Sequence, residues 1–284
     1  MADIAATKRA DLMRRLAIRS ALLLALTAAS SATAGTSPPG VNLSWDQCFA
    51  DGGTRNKNFA CDVNTGADVM VASFEVGAPL AGVTGIEAVL QVKAESAVLP
   101  TWWSFSAPGG VLGCRGAGLT VNLLPPAGMT NCEDWSQGTA QGGLATYQPG
   151  YNGDNSRKII LGAAVPLAID LQPGIEYFLA RIQLAHTRTV GTGACAGCAT
   201  PACLYFDYAN IIPGVLPLTR LAQGANWSGS PMVTYQSGYV TNLFHEITPG
   251  APGADNHHFF YDCVLASPTS ARGSTWGQVK SLYR

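Results

Sequence analysis

The sequence predicts an all-β protein, an antiparallel β-sandwich of the immunoglobulin-like or jelly-roll-like type that is stabilised by disulfides. Three observations predict this class. Short runs alternate apolar and polar residues at a period of two, 32 glycines and 17 prolines punctuate these runs, and all eight cysteines lie beyond an N-terminal export signal. No helical period is sustained between residues 35 and 266. Without helices to carry parallel crossovers, two packed antiparallel sheets are the expected architecture.

The first 34 residues have the pattern of a removed signal peptide. Five basic residues between positions 8 and 19 precede the apolar run Ala21–Leu26, and Ala32-Thr33-Ala34 supplies a small-residue cleavage site. The apolar run is much shorter than the roughly 20 residues that a membrane-spanning helix requires. We therefore expect the mature chain to begin near Gly35 and to be exported to the periplasm, the cell surface or the medium.

Composition limits the domain count and the partners of the mature chain. We expect one β-sandwich domain over residues 35–265, because no low-complexity linker divides it, followed by a polar spacer and short tail over residues 266–284. Removal of the signal leaves 12 of the 17 basic and 16 of the 18 acidic residues, a net charge of −4. That balance argues against a nucleic-acid partner, and no second apolar stretch predicts a membrane span.

Alternation is clearest in two strands, which the sequence places over Ile86–Val92 and Phe178–Leu184. A period of two puts Phe178, Ala180, Ile182 and Leu184 on one face of the second strand, toward the core. Turn residues bound each predicted strand. The other predicted strands are Asp68–Glu75, Ala117–Leu124, Arg157–Ile169, Cys203–Ile211, Met232–Gln236, Tyr239–Ile247 and His258–Leu265.

The even number of cysteines, in an oxidising compartment, predicts a set of disulfides. The simplest pairing joins neighbours in sequence, Cys48 to Cys61 and Cys114 to Cys132. The other four are Cys195, Cys198, Cys203 and Cys263. They can pair in three ways, and we expect at least one of the closely spaced Cys195 and Cys198 to reach Cys203 or Cys263.

Two metal sites compete with these structural interpretations. Cys195-x2-Cys198-x4-Cys203 with His186 nearby resembles a zinc ligand set, but thiolates are scarce outside the cytoplasm and disulfides are favoured. Asp62, Asn64 and Asp68 place oxygen atoms around Gly66, as calcium loops do. Asn and Asp are also the usual turn formers, so a plain turn is favoured over calcium, and we expect no metal or other cofactor.

Four tryptophans are candidates for carbohydrate contact, since flat rings stack on sugar rings. They are Trp102, Trp103, Trp135 and Trp227. If Trp102 and Trp103 lie on a strand, one ring belongs to the core and the other is exposed. The alternative is that the rings close the ends of the sandwich, and this is favoured.

Catalytic signatures are lacking. The sequence has no Gly-x-Ser-x-Gly elbow and no His-Glu-x-x-His motif. Titratable residues gather mainly at Asp255, His257, His258 and Asp262, without a recognisable nucleophile. We expect no catalytic residues.

Two segments carry a resemblance to known families. The segments over residues 82–90 and 173–182 resemble strands of cohesin-like and other immunoglobulin-like extracellular modules. The mature chain, with Cys-Ala-Gly-Cys-Ala-Thr-Pro-Ala-Cys at 195–203, is similar to uncharacterised exported bacterial β-sandwich proteins. The resemblance implies an extracellular module of this architecture.

These observations together predict an exported, non-enzymatic β-sandwich with a structural, adhesive or binding role. Its expected partner is a surface polymer, a glycan or another protein, contacted through surface loops. The first alternative is a carbohydrate-binding module that uses the four tryptophans, and the second is a secreted hydrolase.

Overall fold

A computed structural model describes residues 40–106, 112–149, 153–215, 217–222, 230 and 232–236. The contacts divide the chain into two units, Met1–Gly35 and Thr36–Arg284, and every described residue belongs to the second. The predicted signal peptide, the strands predicted over residues 239–247 and 258–265, and the spacer and tail over residues 266–284 lie outside the described residues.

Twelve β-strands and three single-turn 3₁₀ helices make up the regular structure of the described part of the chain. The strands are β1 Gly40–Trp45, β2 Asn56–Lys57, β3 Ala67–Glu75, β4 Leu80–Ala94, β5 Leu119–Asn122, β6 Cys132–Asp134, β7 Gln141–Pro149, β8 Ser156–Leu171, β9 Glu176–Ala185, β10 Ala202–Pro213, β11 Thr219–Ala222 and β12 Met232–Tyr235. The 3₁₀ helices are Phe49–Asp51, Thr101–Trp103 and Gly116–Gly118.

The strands form two sheets that pack face to face, so the predicted all-β sandwich is confirmed. One sheet has the order β1-β3-β9-β5, with β6 also paired to β9. The other has the order β2-β12-β10-β4-β8-β7, with β11 also paired to β10. Most pairs are antiparallel, but β6 runs parallel to β9 and β2 runs parallel to β12. Both sheets are therefore mixed, which the sequence did not predict.

Long strands at the centre of the second sheet supply much of the core. In β4 the inward residues Ile86, Ala88, Leu90 and Val92 are all buried, as the alternation predicts. Val89, on the opposite face, is buried as well. This central strand is thus covered on both faces, whereas the alternation predicts that only one face is buried.

A β-bulge in β9 changes which side chains face the core. Ala72 pairs with Ala180, but the next residue along β3, Ser73, pairs with Phe178, which makes Leu179 the extra residue. Leu179 and Ala180 both join the main core cluster, while Phe178 packs with Val71 in a second cluster. The prediction that Phe178 shares a face with Ala180 is wrong, because an inserted residue reverses a period of two.

The two sheets are joined directly along one side of the sandwich. The backbone N–H of Leu43 in β1 donates to the Ser230 carbonyl oxygen at 2.6 Å, and the Trp45 indole donates to the Thr234 carbonyl oxygen at 2.9 Å. On the opposite side, β5 and β7 are the edge strands of their sheets. No described strand pairs with the outer edges of β5 and β7, and this side carries the groove described below.

Candidate binding groove

Three disulfides join described cysteines, and their pairing differs from the predicted one. Cys48 bonds Cys132, Cys61 bonds Cys198, and Cys114 bonds Cys195. Cys203 is also disulfide-bonded, and Cys263 lies outside the described residues. The predicted pairs Cys48–Cys61 and Cys114–Cys132 are wrong, as is the expectation that Cys195 or Cys198 bonds Cys203 or Cys263.

The reason for this error is that the bridges follow the fold and not the distance in sequence. The three bonds span 84, 137 and 81 residues. Cys132 opens β6, which lies beside β9, and so meets Cys48 at the start of a distant 3₁₀ turn. Every bridge thus ties a loop to a segment that only the tertiary structure brings near.

The same bridges remove the zinc interpretation. The sulfur atoms of Cys195 and Cys198 are bonded to other cysteines and offer no thiolate. His186 points elsewhere, with its ring nitrogens 3.0 Å from the Thr65 carbonyl oxygen and 3.0 Å from an Asp68 carboxylate oxygen. The motif 195–203 is a disulfide-bonded loop that runs into the start of β10 at Ala202.

The calcium candidates are also engaged in other contacts. The Asn64 side-chain oxygen accepts hydrogen bonds from the backbone N–H groups of Thr189 and Val190, at 2.7 and 2.9 Å. Asp68 is buried against His186 and lies 3.5 Å from the Lys57 ammonium, while Asp62 is exposed. The Asn64 and Asp68 oxygens are thus engaged by protein donors and by a cation, which gives the calcium interpretation no support.

The tryptophans proposed to contact carbohydrate are buried where the structure describes them. Trp102, Trp103 and Trp135 are at most 1% exposed, and Trp227 lies outside the described residues. Trp102 and Trp103 lie on a 3₁₀ turn and not on a strand, which lets both rings enter the core. The predicted exposed platform is wrong for these three rings, which belong to the main core cluster.

An aromatic cluster formed by two of these rings fills one end of the core. Trp102 stacks on Tyr235 with ring centroids 5.2 Å apart, and Trp103 meets both rings edge-on. The guanidinium of Arg115 lies 3.5 Å from the centre of the Trp102 ring. Such contacts add to the burial of large apolar surfaces, so the cluster stabilises the fold.

Charged residues near this end form structural contacts. The Lys57 ammonium lies 2.5 Å from an Asp46 carboxylate oxygen as well as 3.5 Å from Asp68, and the Phe59 ring stacks on the His186 ring with centroids 3.6 Å apart. Elsewhere Glu176 is buried and accepts hydrogen bonds from the Ser73 hydroxyl and from the backbone N–H groups of the 3₁₀ turn after Cys48. These contacts hold loops onto the sheets, and the Ser73 hydroxyl beside Glu176 is itself fully buried.

A groove between β5 and β7 is a concave surface of the described part of the chain. Two adjoining cavities of about 420 and 550 Å³ share Thr120, Val121 and Gly142. Within the described residues, β5 pairs only with β9 and β7 only with β8. Each strand therefore presents to the groove a backbone edge that pairs with no other described strand.

The described residues that line the groove are all uncharged. Thr120, Asn122, Gln141 and Gln183 supply hydroxyl and amide groups, while exposed leucines such as Leu112 and Leu124 supply apolar surface. An uncharged lining with neutral donors and acceptors suits the binding of an uncharged partner. It offers nothing that can carry a proton at neutral pH.

Glycines form one wall of the groove for a steric reason. Gly142 and Gly143 have φ values of 134° and 140°, which side-chain-bearing residues rarely adopt. A Cβ at Gly142 would lie 2.1 Å from the Gly162 carbonyl oxygen in the paired strand. The predictions from sequence missed this site. The Gly-Gly pair between Gln141 and Leu144 was its only local signal.

The class of this protein is assigned from its structure, because comparisons with known proteins found no relative. No protein-family model, no curated protein and no solved structure matches the chain. The structure defines the class as a disulfide-bonded, all-β sandwich. Within the described residues, no helix is long and apolar enough to cross a membrane.

Proposed function

We propose that this protein is an exported, non-enzymatic β-sandwich that binds a surface polymer, a glycan or another protein through the groove between β5 and β7. The observation that carries this proposal is the uncharged groove, set between two strand edges of a frame that long-range disulfides hold together. A rigid scaffold with a preformed groove loses little conformational entropy on binding.

Export is supported by the cysteine chemistry and by the N-terminal sequence. Disulfides persist in oxidising compartments and are rare in the cytoplasm, and three of them join described residues here. The basic head, apolar run and Ala32-Thr33-Ala34 site have the order of a signal peptide. The disulfides and the signal sequence both favour an oxidising compartment outside the cytoplasm.

Binding is favoured over catalysis because the described lining of the groove has no acid–base or nucleophilic group other than the hydroxyls of Ser106 and Thr120. Neither hydroxyl has a described basic partner that activates it. A secreted hydrolase would therefore need a site elsewhere on the chain.

A carbohydrate-binding module is the second candidate, and it is supported by the groove and not by the buried tryptophans. The amides of Asn122, Gln141 and Gln183 are suitable partners for sugar hydroxyls. Among the described residues, the groove lining has no aromatic ring on which a sugar could stack. Hydrogen bonding without stacking favours a peptide or an extended polymer over a short glycan.

The test uses the full chain expressed with its signal, recovered after export, labelled and mixed with isolated cell envelopes and with a glycan array. Thr120 is exposed and lines both cavities, so Thr120→Trp should fill the groove and reduce binding at least tenfold. The matched control is Leu167→Trp, at a position that is 78% exposed on β8 and outside the groove lining. Binding that is the same for both variants and the parent would overturn the proposal, as would protein found only in the cytoplasmic fraction.

A further inference from the structure

Arg115 is the one arginine among the largest fully buried side chains of the described residues. It follows Cys114 in the loop that leads to the 3₁₀ turn Gly116–Gly118, and it is 2% exposed. Its guanidinium stacks on Trp102, with the Phe105 ring 5.0 Å away. Nη1 donates to the Trp102 carbonyl oxygen at 2.9 Å. One side of the guanidinium is therefore bonded and its face is covered.

The remaining side carries two buried donors. Nε and Nη2 of Arg115 have no hydrogen-bond partner within the described residues. Nε and Nη2 present parallel N–H bonds along one edge of the planar guanidinium, the edge that grips oxyanions in bidentate pairs. The Trp103 ring contacts Trp102 and Phe105, and its indole N–H is a third buried donor that has no hydrogen-bond partner in the part of the chain that the structure describes.

The charge of Arg115 also lacks a close partner in the described part of the chain. Burial lowers the pKa of Arg115 to about 10, with opposing contributions from Tyr235, Asp68 and Tyr147, so the side chain is still a cation at neutral pH. The Asp68 carboxylate is already in contact with His186 and Lys57. A buried cation without a counter-charge is costly, because its transfer from water is not compensated.

An anion meets these requirements better than a water molecule does. A water molecule accepts at most two hydrogen bonds and carries no charge that balances the buried guanidinium. A small anion accepts from every donor, needs no acceptor in return and neutralises the guanidinium.

We propose that the Nε–Nη2 edge of Arg115 binds a small monovalent anion, such as chloride or a carboxylate of formate size. Gly116 and Ala117, the next two residues, line the groove between β5 and β7. The anion would thus hold the loop that forms part of the groove wall. This site is independent of whatever partner the groove binds.

The test measures thermal unfolding of the exported full chain, with its disulfides intact, at constant ionic strength. Sodium gluconate is replaced stepwise by sodium chloride, and in a second series by sodium formate. Since a ligand that binds only the folded state stabilises it by mass action, we expect a saturable rise of several degrees in the unfolding midpoint. Arg115→Met keeps an apolar chain over Trp102 and should abolish the rise, while the control Arg55→Met, at an exposed arginine, should retain it.

A second measurement covers the case in which Arg115→Met does not fold. Crystals of the unmutated protein grown in sodium bromide should show an anomalous peak within hydrogen-bond distance of Nε and Nη2. Water alone at that position, or unfolding midpoints that are identical in gluconate, chloride and formate, would overturn the proposal.

Discussion

Cys61 and Cys198 stand 137 residues apart in the sequence, and their disulfide holds the two Cα atoms 5.9 Å apart. Cys61 lies between β2 and β3, and Cys198 lies between β9 and β10, where the chain leaves one sheet for the other. The Gln236 amide donates to the Cys61 sulfur at 3.1 Å, next to the end of β12. The bridge therefore joins loops of both sheets at the end of the sandwich that the aromatic cluster fills.

Removing this bridge should destabilise the protein. Because the bond closes a long loop in the unfolded chain, we expect the double change Cys61→Ser and Cys198→Ser to lower the free energy of unfolding by about 2–5 kcal/mol. Denaturant titration of the exported protein measures it. The double change Cys48→Ser and Cys132→Ser, which opens a loop of 84 residues, provides the comparison. An unchanged midpoint for both would contradict the structural role of the bridges.

Peptide mapping under non-reducing conditions should find four bridges and no reactive thiol. Three should be the pairs described above, and the fourth should join Cys203 to Cys263, since Cys203 is bonded and six of the other seven cysteines pair among themselves. A peptide that links Cys48 to Cys61, or Cys114 to Cys132, would show that the simple pairing of sequence neighbours forms instead.

Replacement of Trp102 should lower the free energy of unfolding and leave glycan binding unchanged. The side chain is fully buried and stacks on Tyr235, so Trp102→Ala should cost about 3–5 kcal/mol of stability and Trp102→Phe should cost less. Leu112→Ala, at a residue that is 86% exposed, should stay within about 0.5 kcal/mol. Loss of binding to a glycan array by Trp102→Phe at unchanged stability would instead restore the stacking-platform interpretation.

Glu75 should make the protein less stable as the pH rises toward neutrality. Burial, and then the negative charge of Glu176, raise the pKa of Glu75 above its ordinary value of 4.5. The folded state therefore holds this proton more tightly than the unfolded chain does. The resulting stability is present below the ordinary pKa and is lost as the pH rises through the raised pKa.

Glu75→Gln tests this dependence, because an amide does not titrate. We expect the variant to be more stable than the parent near neutral pH, with a difference that shrinks as the pH approaches 4.5. Glu95→Gln, at an exposed residue, serves as the control in the same denaturant titrations. A neutral-pH difference of the opposite sign would show that Glu75 is stabilised as an anion in the folded protein.

The sequence by itself determined the fold class and six of the strands, because alternation and turn residues act over a few neighbouring positions. β3, β4, β8, β9, β10 and β12 all overlap predicted strands. β5 also falls within the predicted segment Ala117–Leu124, although the first two residues of that segment belong to the 3₁₀ turn Gly116–Gly118. β7 was missed, since Gly142 and Gly143 remove both the alternation and the β-forming side chains that would have marked it.

The tertiary structure alone decided the disulfide pairing, the burial of Trp102 and Trp103, the reversal of Phe178 and the groove. Each of these depends on which distant segments the sheets bring together, such as β6 beside β9 or β5 opposite β7. A local pattern specifies how a strand presents its two faces, but it does not specify what lies against them. Contacts between segments that are 80 or more residues apart arise only when the whole chain has packed.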